Sequence, residues 1–294
     1  MEVRKYIYNR EGYAFLTPWL LGFILFTAIP MILSFYFSFT QYDVLTPPKW
    51  VGLRNYIDMA NDPRVHKSLQ VTFTYVGLGV PLQIIFALFV AILLNRDRPG
   101  IRTYRAIYYL PSLFGGSVAV AILWRQVFNK EGLINQFLAL LGIEGKNWIA
   151  SPETALYTLI VLLIWQFGSP MVIFLSGLKQ ISKEYYEAAM IDGAGRIRML
   201  FSITLPLLTP LIFFNLVMGI INAFQAFTPA YIISGGTGAP VDSTLFYTLY
   251  LYIKGFQHFS MGYASALAWV LLVIISIMTA LMFLLSRFWV HYEE

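Results

Sequence analysis

The sequence has no cysteine and few charged residues. None of its 294 residues is Cys, and only 12% are Asp, Glu, Lys or Arg. The absence of cysteine excludes disulfide bonds, thiolate metal ligands and thiol catalysis. Soluble domains carry about 25% charged residues, so the low charge excludes an ordinary soluble fold, as does the 58% share of hydrophobic residues. The composition predicts an integral membrane protein.

The chain also lacks the groups that mark other transporters and enzymes. No predicted span holds an acidic or basic side chain in its core, whereas proton-driven carriers use such groups as relays. There is no Gly-x-x-x-x-Gly-Lys-Ser/Thr motif, because the glycine cluster at 235–238 lacks the lysine. The three histidines have no partner at metal-ligand spacing. We therefore expect no catalytic residue, metal site or nucleotide site on this chain.

Long apolar runs account for most of the sequence. A helix needs about 20 apolar residues to cross the hydrocarbon layer, and in lipid it must satisfy its own backbone hydrogen bonds. The first run is too long for a signal peptide, so we expect it to remain as a span. The run 199–234 is too long for one span, and we expect 199–207 to lie along the inner surface. We predict an all-α protein with one transmembrane domain over 1–294 and six spans, at 13–40, 69–94, 106–127, 154–178, 208–233 and 261–286.

The distribution of basic residues predicts the orientation. One side of the membrane, with both termini, holds 12 of the Lys and Arg residues, and the other side holds 7 on a greater total length. Because positive charge is retained inside, both termini are predicted to be cytoplasmic. Arg125 is the one basic residue counted on neither side, and it is predicted to lie at the outer end of the third span. The net charge of +5 then reflects insertion bias and anionic lipid, and we expect no nucleic-acid partner.

One cytoplasmic connection, 179–206, is longer than two packed helices need. Its first half predicts a short helix, since Ser182 can cap the N-terminus, Glu184 lies in the first turn and Gly193 can end the helix. Small residues along one face permit the close approach of a partner. From the residues alone, an amphipathic loop resting on lipid headgroups is an equally good interpretation.

A resemblance to a known family favours the first alternative. The pattern Glu187-Ala188-Ala189, then Gly193, then Ile203-x-Leu205-Pro206 resembles the EAA loop of ATP-binding-cassette (ABC) importer permeases, and Asp192 and Ala194 resemble the sugar-import branch. The resemblance covers nearly the whole chain. Further matching pieces are Asn55-Tyr56 after Val51-Gly52-Leu53, Leu110-Pro111, Trp124, Gly235-Gly236, the stretch 261–266 and the tail 287–294.

The resemblance implies a fold and a set of partners. The fold would be that of a type I ABC importer permease, with 179–206 as a cytoplasmic EAA coupling loop. The chain would be the first-type (F/A-like) subunit of a bacterial or archaeal plasma-membrane transporter, paired as a heterodimer with a second permease subunit. It would not be an enzyme, because two cytoplasmic ATPase subunits would bind ATP and magnesium. An extracytoplasmic solute-binding protein would deliver a sugar, an oligosaccharide being the expected cargo.

The resemblance also implies two sets of site residues. Glu187, Ala188, Ala189, Asp192 and Gly193 would couple the chain to an ATPase subunit. In the maltose-type family, the helices on either side of the EAA loop line the sugar cavity. The polar or flat side chains that this chain offers on those helices are Trp165, Gln166, Ser169, Asn222 and Gln225.

Alternatives remain at this point. The amide side chains in the spans could hold helices together instead of lining a cavity. The cargo could be glycerol phosphate or another organic solute, although an anionic cargo would favour a basic residue in the cavity. A self-contained secondary carrier that binds sodium through carbonyl and hydroxyl groups is a further alternative, and the EAA pattern speaks against it.

Overall fold

The computed structural model of the chain describes residues 2–96 and 98–291, and it describes side chains from residue 12 onward within those ranges. The side chains of the predicted basic start (Arg4, Lys5 and Arg10) and the last three residues of the 287–294 tail lie outside this description. The described chain is mostly helical. Its one two-stranded ladder pairs Thr40–Gln41 with Lys49–Trp50 in antiparallel register.

Long apolar helices form at five of the six predicted spans. Within the described ranges, each has 26 to 32 residues, which is enough to cross the hydrocarbon layer at 1.5 Å per residue. We call them the first, second, fourth, fifth and sixth spans: Gly12–Ser38, Pro63–Leu94, Ala155–Gln180, Arg196–Phe224 and Met261–Ser286. The shorter helices are Arg54–Ala60, Leu133–Leu140, Lys183–Ile191, Thr228–Ile233 and Tyr247–Tyr252, and a π-helical turn follows at Ile253–Gln257.

The predicted third span, 106–127, is not one straight helix. Two helices, Ile101–Phe114 and Val118–Val127, meet at an angle of 103°, and we call them the bent pair. The break falls at Gly115-Gly116, because glycine has a low helix propensity. Ser117 then caps the second helix, since its hydroxyl oxygen accepts from the Val120 amide at 3.3 Å. The bent pair is the sixth candidate for crossing the membrane among the described residues.

The fifth span also differs from the prediction of 199–207 along the surface and 208–233 across the membrane. The helix runs without a break from Arg196 through a π-helical turn, Leu200–Thr204, to Phe224. Pro206 and Pro210 do not stop it. The ring of Pro210 removes a hydrogen bond to the Pro206 carbonyl, and the Thr209 hydroxyl donates to that carbonyl at 2.6 Å instead.

Past Phe224 the chain turns at 225–227 before the short helix Thr228–Ile233 begins. Pro229 lies at the start of this helix, where its missing amide costs nothing. The residue before a proline is biased away from helical geometry. The helix therefore ends nine residues before the predicted end of the span.

The contacts divide the chain into two compact units, Met1–Asp62 with Leu251–Val270, and Pro63–Tyr250 with Leu271–Glu294. In the first unit, the short helix Arg54–Ala60 is tied to the end of the first span. Asn55 donates from its amide to the Ser38 and Thr40 carbonyls at 2.8 and 2.9 Å, and Tyr56 donates to the Ser38 hydroxyl at 2.7 Å. A Cβ at Gly262 would lie only 2.0 Å from the Thr40 carbonyl oxygen, so only glycine fits there.

The second unit is built around the second span. Its buried face packs against the fourth and fifth spans. Two glycines let the helices approach closely, because a Cβ at Gly79 would meet Leu163 at 2.7 Å and one at Gly219 would meet Val80 at 2.8 Å. Small residues at such positions are typical of helix packing in membranes, where dispersion contacts replace the hydrophobic effect.

Candidate functional site

The predicted coupling loop contains a well-formed helix, Lys183–Ile191, which we call the coupling helix. Its N-cap is Ser182, whose hydroxyl oxygen accepts from the Glu184 amide at 3.3 Å. Glu184 also lies in the first turn, where its negative charge interacts favourably with the helix dipole. Both features agree with the sequence pattern, because capping depends only on neighbours along the chain.

The coupling helix ends in a two-bond glycine cap. Gly193 has φ = +78°, and its amide donates to the Met190 carbonyl at 3.1 Å, while the Ala194 amide donates to the Ala189 carbonyl at 2.8 Å. This pair of bonds is the Schellman motif. Nothing lies within 4 Å of where a Cβ at Gly193 would be, so the backbone conformation alone requires glycine.

Most motif residues of the coupling helix are exposed on the surface of the chain. Glu187, Ala188 and Asp192 are exposed, and Ala189 is half-buried. Within the described ranges, the Glu187 carboxylate makes no hydrogen bond or ion pair. Large apolar side chains flank the motif, and Ile191 and Ile197 are 87% and 75% exposed. An unpaired carboxylate among exposed apolar groups is suited to docking against another protein.

A hydrogen bond links the coupling helix to the fifth span. The hydroxyls of Tyr186 and Thr204 lie 3.0 Å apart, and Thr204 belongs to the π-helical turn and is buried. Beside this contact is a pocket of about 410 Å³ that also touches the ends of the second and fourth spans. The hydrogen bond therefore connects the coupling helix directly to the fifth span.

Three of the predicted pathway residues surround a break in the fourth span. The helix stops at Trp165 and restarts at Gly168. The Gln166 amide donates to the Gly115 carbonyl at 3.0 Å, so this side chain ties the fourth span to the bent pair. Ser169 is exposed. Trp165 is 37% exposed and its ring lies 5.7 Å from that of Trp124.

The break is stabilised by two residues that the sequence analysis did not single out. The buried Gln83 donates from its amide to the Leu163 and Gln166 carbonyls at 2.9 and 3.1 Å. Ser112 donates to the same Gln166 carbonyl at 3.1 Å. Gln83 is one of two glutamines in the second span, and its target is about eighty residues away in sequence.

The remaining two predicted pathway residues are exposed near the end of the fifth span. The side-chain amides of Asn222 and Gln225 make no hydrogen bond to any described residue. Asn215, on the same helix, is instead buried and donates to the Leu211 carbonyl at 2.8 Å. No hydrogen bond or ring contact between described residues joins the Asn222 and Gln225 side chains to the three pathway residues at the break in the fourth span. The side-chain amides of Gln166 and Asn215 are thus hydrogen-bonded within the chain, whereas those of Asn222 and Gln225 are available to a ligand.

Known proteins resemble the chain over this whole architecture. A family model described as "Binding-protein-dependent transport system inner membrane component" matches residues 59–291. The chain belongs to this family. Residues 59–291 include the coupling helix and the spans on either side of it. The predicted family is confirmed.

Two curated relatives extend the match to nearly the full length. The "Probable ABC transporter permease protein YesP" of Bacillus subtilis (strain 168) is 55% identical over 288 residues, covering 97% of this chain and 93% of that protein. The "Lactose transport system permease protein LacF" of Rhizobium radiobacter is 30% identical over 291 residues, covering 96% of each. Both relatives are permease proteins by name.

A solved structure shares the fold. It is the crystal structure of a bacterial alginate ABC transporter in complex with alginate pentasaccharide-bound periplasmic protein. The TM-score is 0.83 at 22% identity, and the match covers 97% of this chain and 96% of that chain. The predicted all-α permease fold is confirmed.

Proposed function

We propose that the chain is the transmembrane permease subunit of an ATP-driven carbohydrate importer and forms the translocation pathway with a second permease subunit. The observation that carries the proposal is the coupling helix, which is exposed, capped at both ends and bears an unpaired Glu187. Two cytoplasmic ATPase subunits bind ATP and magnesium and dock on this helix and on its counterpart in the second subunit. Ala188 and the half-buried Ala189 keep the contact close.

The proposed second permease subunit is supported by apolar surface that the chain leaves open. In the most apolar 18-residue window of the first span, none of the residues is buried, and in that of the sixth span only 11% are. Lipid covers part of such a surface. A partner permease would cover another part and would supply the other half of the pathway, since helix pairs in membranes gain stability from packing.

A carbohydrate cargo is supported by the free polar groups and by the relatives. LacF is named for lactose, and the alginate transporter was solved with an alginate pentasaccharide-bound protein. Asn222 and Gln225 offer amides without internal partners, and an exposed amide in a membrane-spanning helix is unfavourable against lipid. A sugar hydroxyl in a wet cavity would satisfy them. Trp165 offers a flat apolar face for a sugar ring.

Purification of the assembled transporter tests the proposed function. The tagged chain is co-expressed with a second permease subunit and an ATPase subunit from the same organism and is purified in mild detergent. We expect one copy of this chain, one second permease and two ATPase subunits, measured by native mass spectrometry. A chain that purifies without an ATPase, under conditions in which the ATPase is folded, contradicts the proposal.

The orientation gives a separate prediction. We expect the outer loop that holds Val241 to be extracytoplasmic and the coupling helix to be cytoplasmic, following the distribution of basic residues. Val241 and Ile191 are 81% and 87% exposed, so Cys at either position can react in this cysteine-free chain. A membrane-impermeant maleimide should label Val241→Cys in intact cells and Ile191→Cys only after lysis. The reverse pattern contradicts the orientation.

The pathway proposal predicts that Asn222 contributes to sugar transport. Asn222→Ala removes a free amide, and losing one hydrogen bond to cargo costs about 0.5–1.5 kcal/mol. We expect uptake at limiting sugar to fall roughly 2- to 10-fold while the ATPase still co-purifies. Asn215→Ala is the matched control on the same helix, because its amide is already bonded to Leu211. If Asn222→Ala leaves uptake of every transported sugar unchanged, Asn222 does not line the pathway.

A further inference from the structure

A polar pocket, separate from the pocket beside the coupling helix, lies in the second unit. It has a volume of about 320 Å³. One wall comes from the end of the bent pair and the loop after it, and the other comes from the segment that follows Thr228–Ile233. We call it the Arg125 pocket. Its lining residues are Arg125, Asn129, Asn147, Ile149, Ala150, Ile233, Ser234, Gly235, Ala239 and Pro240.

The Arg125 pocket holds several donors that have no acceptor. Arg125 is exposed, and its guanidinium makes no hydrogen bond or ion pair to any described residue. Ser234 is 92% buried, as 8% of its surface is exposed, and its hydroxyl has no hydrogen-bond partner among the described residues. Asn129 and Asn147 use their side-chain oxygens to accept from backbone amides, which leaves their NH₂ groups as donors. No acidic side chain lines the pocket.

One wall of the pocket is held rigidly. Arg64 donates to both carboxylate oxygens of Asp242, from Nε at 3.0 Å and from Nη2 at 2.7 Å, and also to the Thr237 carbonyl at 3.3 Å. The Thr244 hydroxyl donates to the Ala239 carbonyl at 2.7 Å. These bonds fix the turn that carries Ala239 and Pro240, so the pocket is formed before any ligand arrives.

We propose that the Arg125 pocket receives a carboxylate side chain of the solute-binding protein, and this inference rests on the proposed function. A guanidinium matches a carboxylate through two parallel hydrogen bonds, and the NH₂ donors of Asn129 and Asn147 can fill its remaining acceptor sites. Most lining residues belong to two connections, 129–153 and 235–260, that the basic-residue distribution predicts to lie outside, and Arg125 lies at the predicted outer end of the third span. A binding protein approaches from that side. The pocket gives it a charged anchor and fixes its register on the permease.

Stimulation of ATP hydrolysis tests this assignment. The assembled transporter in nanodiscs is titrated with the solute-binding protein that stimulates its ATPase. Arg125→Gln should raise the half-saturating concentration of binding protein about tenfold, or ~1.4 kcal/mol, and leave unstimulated hydrolysis unchanged. Arg125→Lys keeps the positive charge but loses the paired donors of the guanidinium. It should raise the half-saturating concentration less than Arg125→Gln does. Lys130→Gln is the control, since it removes a positive charge from an exposed neighbour outside the pocket.

Charge reversal identifies the acidic partner. Arg125→Glu should lose stimulation, and replacing one Asp or Glu of the binding protein by Arg should restore it. Equal half-saturation for Arg125→Gln and the wild type overturns the assignment and leaves the proposed function intact. An Arg125→Gln effect seen only in nanodiscs with anionic lipid assigns the pocket to lipid phosphate and also overturns it. A wild-type transporter that no solute-binding protein stimulates overturns both proposals.

Discussion

Glu187→Lys is expected to abolish uptake and to release the ATPase subunit. Glu187 is exposed and unpaired within the described chain, so we propose that it pairs with a basic group of the ATPase. Breaking a buried, hydrogen-bonded charge pair at an interface costs about 2–5 kcal/mol, and reversing the charge adds repulsion. Docking should weaken about 30-fold or more, measured as co-purification of the ATPase with the tagged permease.

A matched substitution separates docking from insertion. Glu144→Lys makes the same charge change at an exposed residue of a loop predicted to lie outside and should leave ATPase docking unchanged. Glu187→Gln keeps the shape of the side chain and should weaken docking less than Glu187→Lys. The second permease subunit should co-purify normally with every variant. If Glu187→Lys binds the ATPase as the wild type does, the coupling helix is a connector on the membrane surface.

Gly193→Val should also disable coupling, for a conformational reason. The positive φ of Gly193 costs a residue with a Cβ about 1–2 kcal/mol, and a β-branched residue is rare there. Valine would open the glycine cap and change the direction in which the chain enters the fifth span. We expect a loss of ATP-driven uptake that is much larger than any loss of inserted protein, with both measured in the same vesicles.

The open space around Gly193 makes this prediction specific. Since no atom lies within 4 Å of the would-be Cβ, steric overlap cannot explain a defect. Asn tolerates the left-handed conformation best after glycine, so uptake should decrease in the order Gly193→Asn, Gly193→Ala, Gly193→Val. Equal activity of the Asn and Val variants would contradict a conformational role for Gly193.

The parts of the fold that depend on local sequence were predictable. Long uncharged runs identify spans because lipid demands them, and the Ser182 cap and the Gly193 end of the coupling helix depend on the residues beside them. The break in the bent pair was not predicted. The break falls at Gly115-Gly116, but the hydrogen bond from the Gln166 side chain to the Gly115 carbonyl joins residues far apart in sequence, and a sequence pattern does not reveal such a contact.

The helix of the fifth span begins before the predicted boundary at 208 and ends before 233. Pro206 and Pro210 lie inside it, and the Thr209 hydroxyl satisfies the Pro206 carbonyl that Pro210 leaves free. The amides were also alike in sequence. Gln166 is bonded to Gly115 and Asn222 is exposed without a bond, so only the structure separates a side chain that holds helices from one available to cargo. Two exposed apolar side chains, Ile191 at the end of the coupling helix and Ile197 just after it, were likewise not anticipated.

Uptake by a reconstituted transporter tests the central claim most directly. The chain is placed in proteoliposomes with its second permease subunit and the ATPase, and labelled sugar with its solute-binding protein is added on the outer side. The account predicts uptake that requires ATP on the ATPase side and stops when either the ATPase or the binding protein is left out. Sugar uptake by this chain without an ATPase would contradict the account and establish a self-contained carrier.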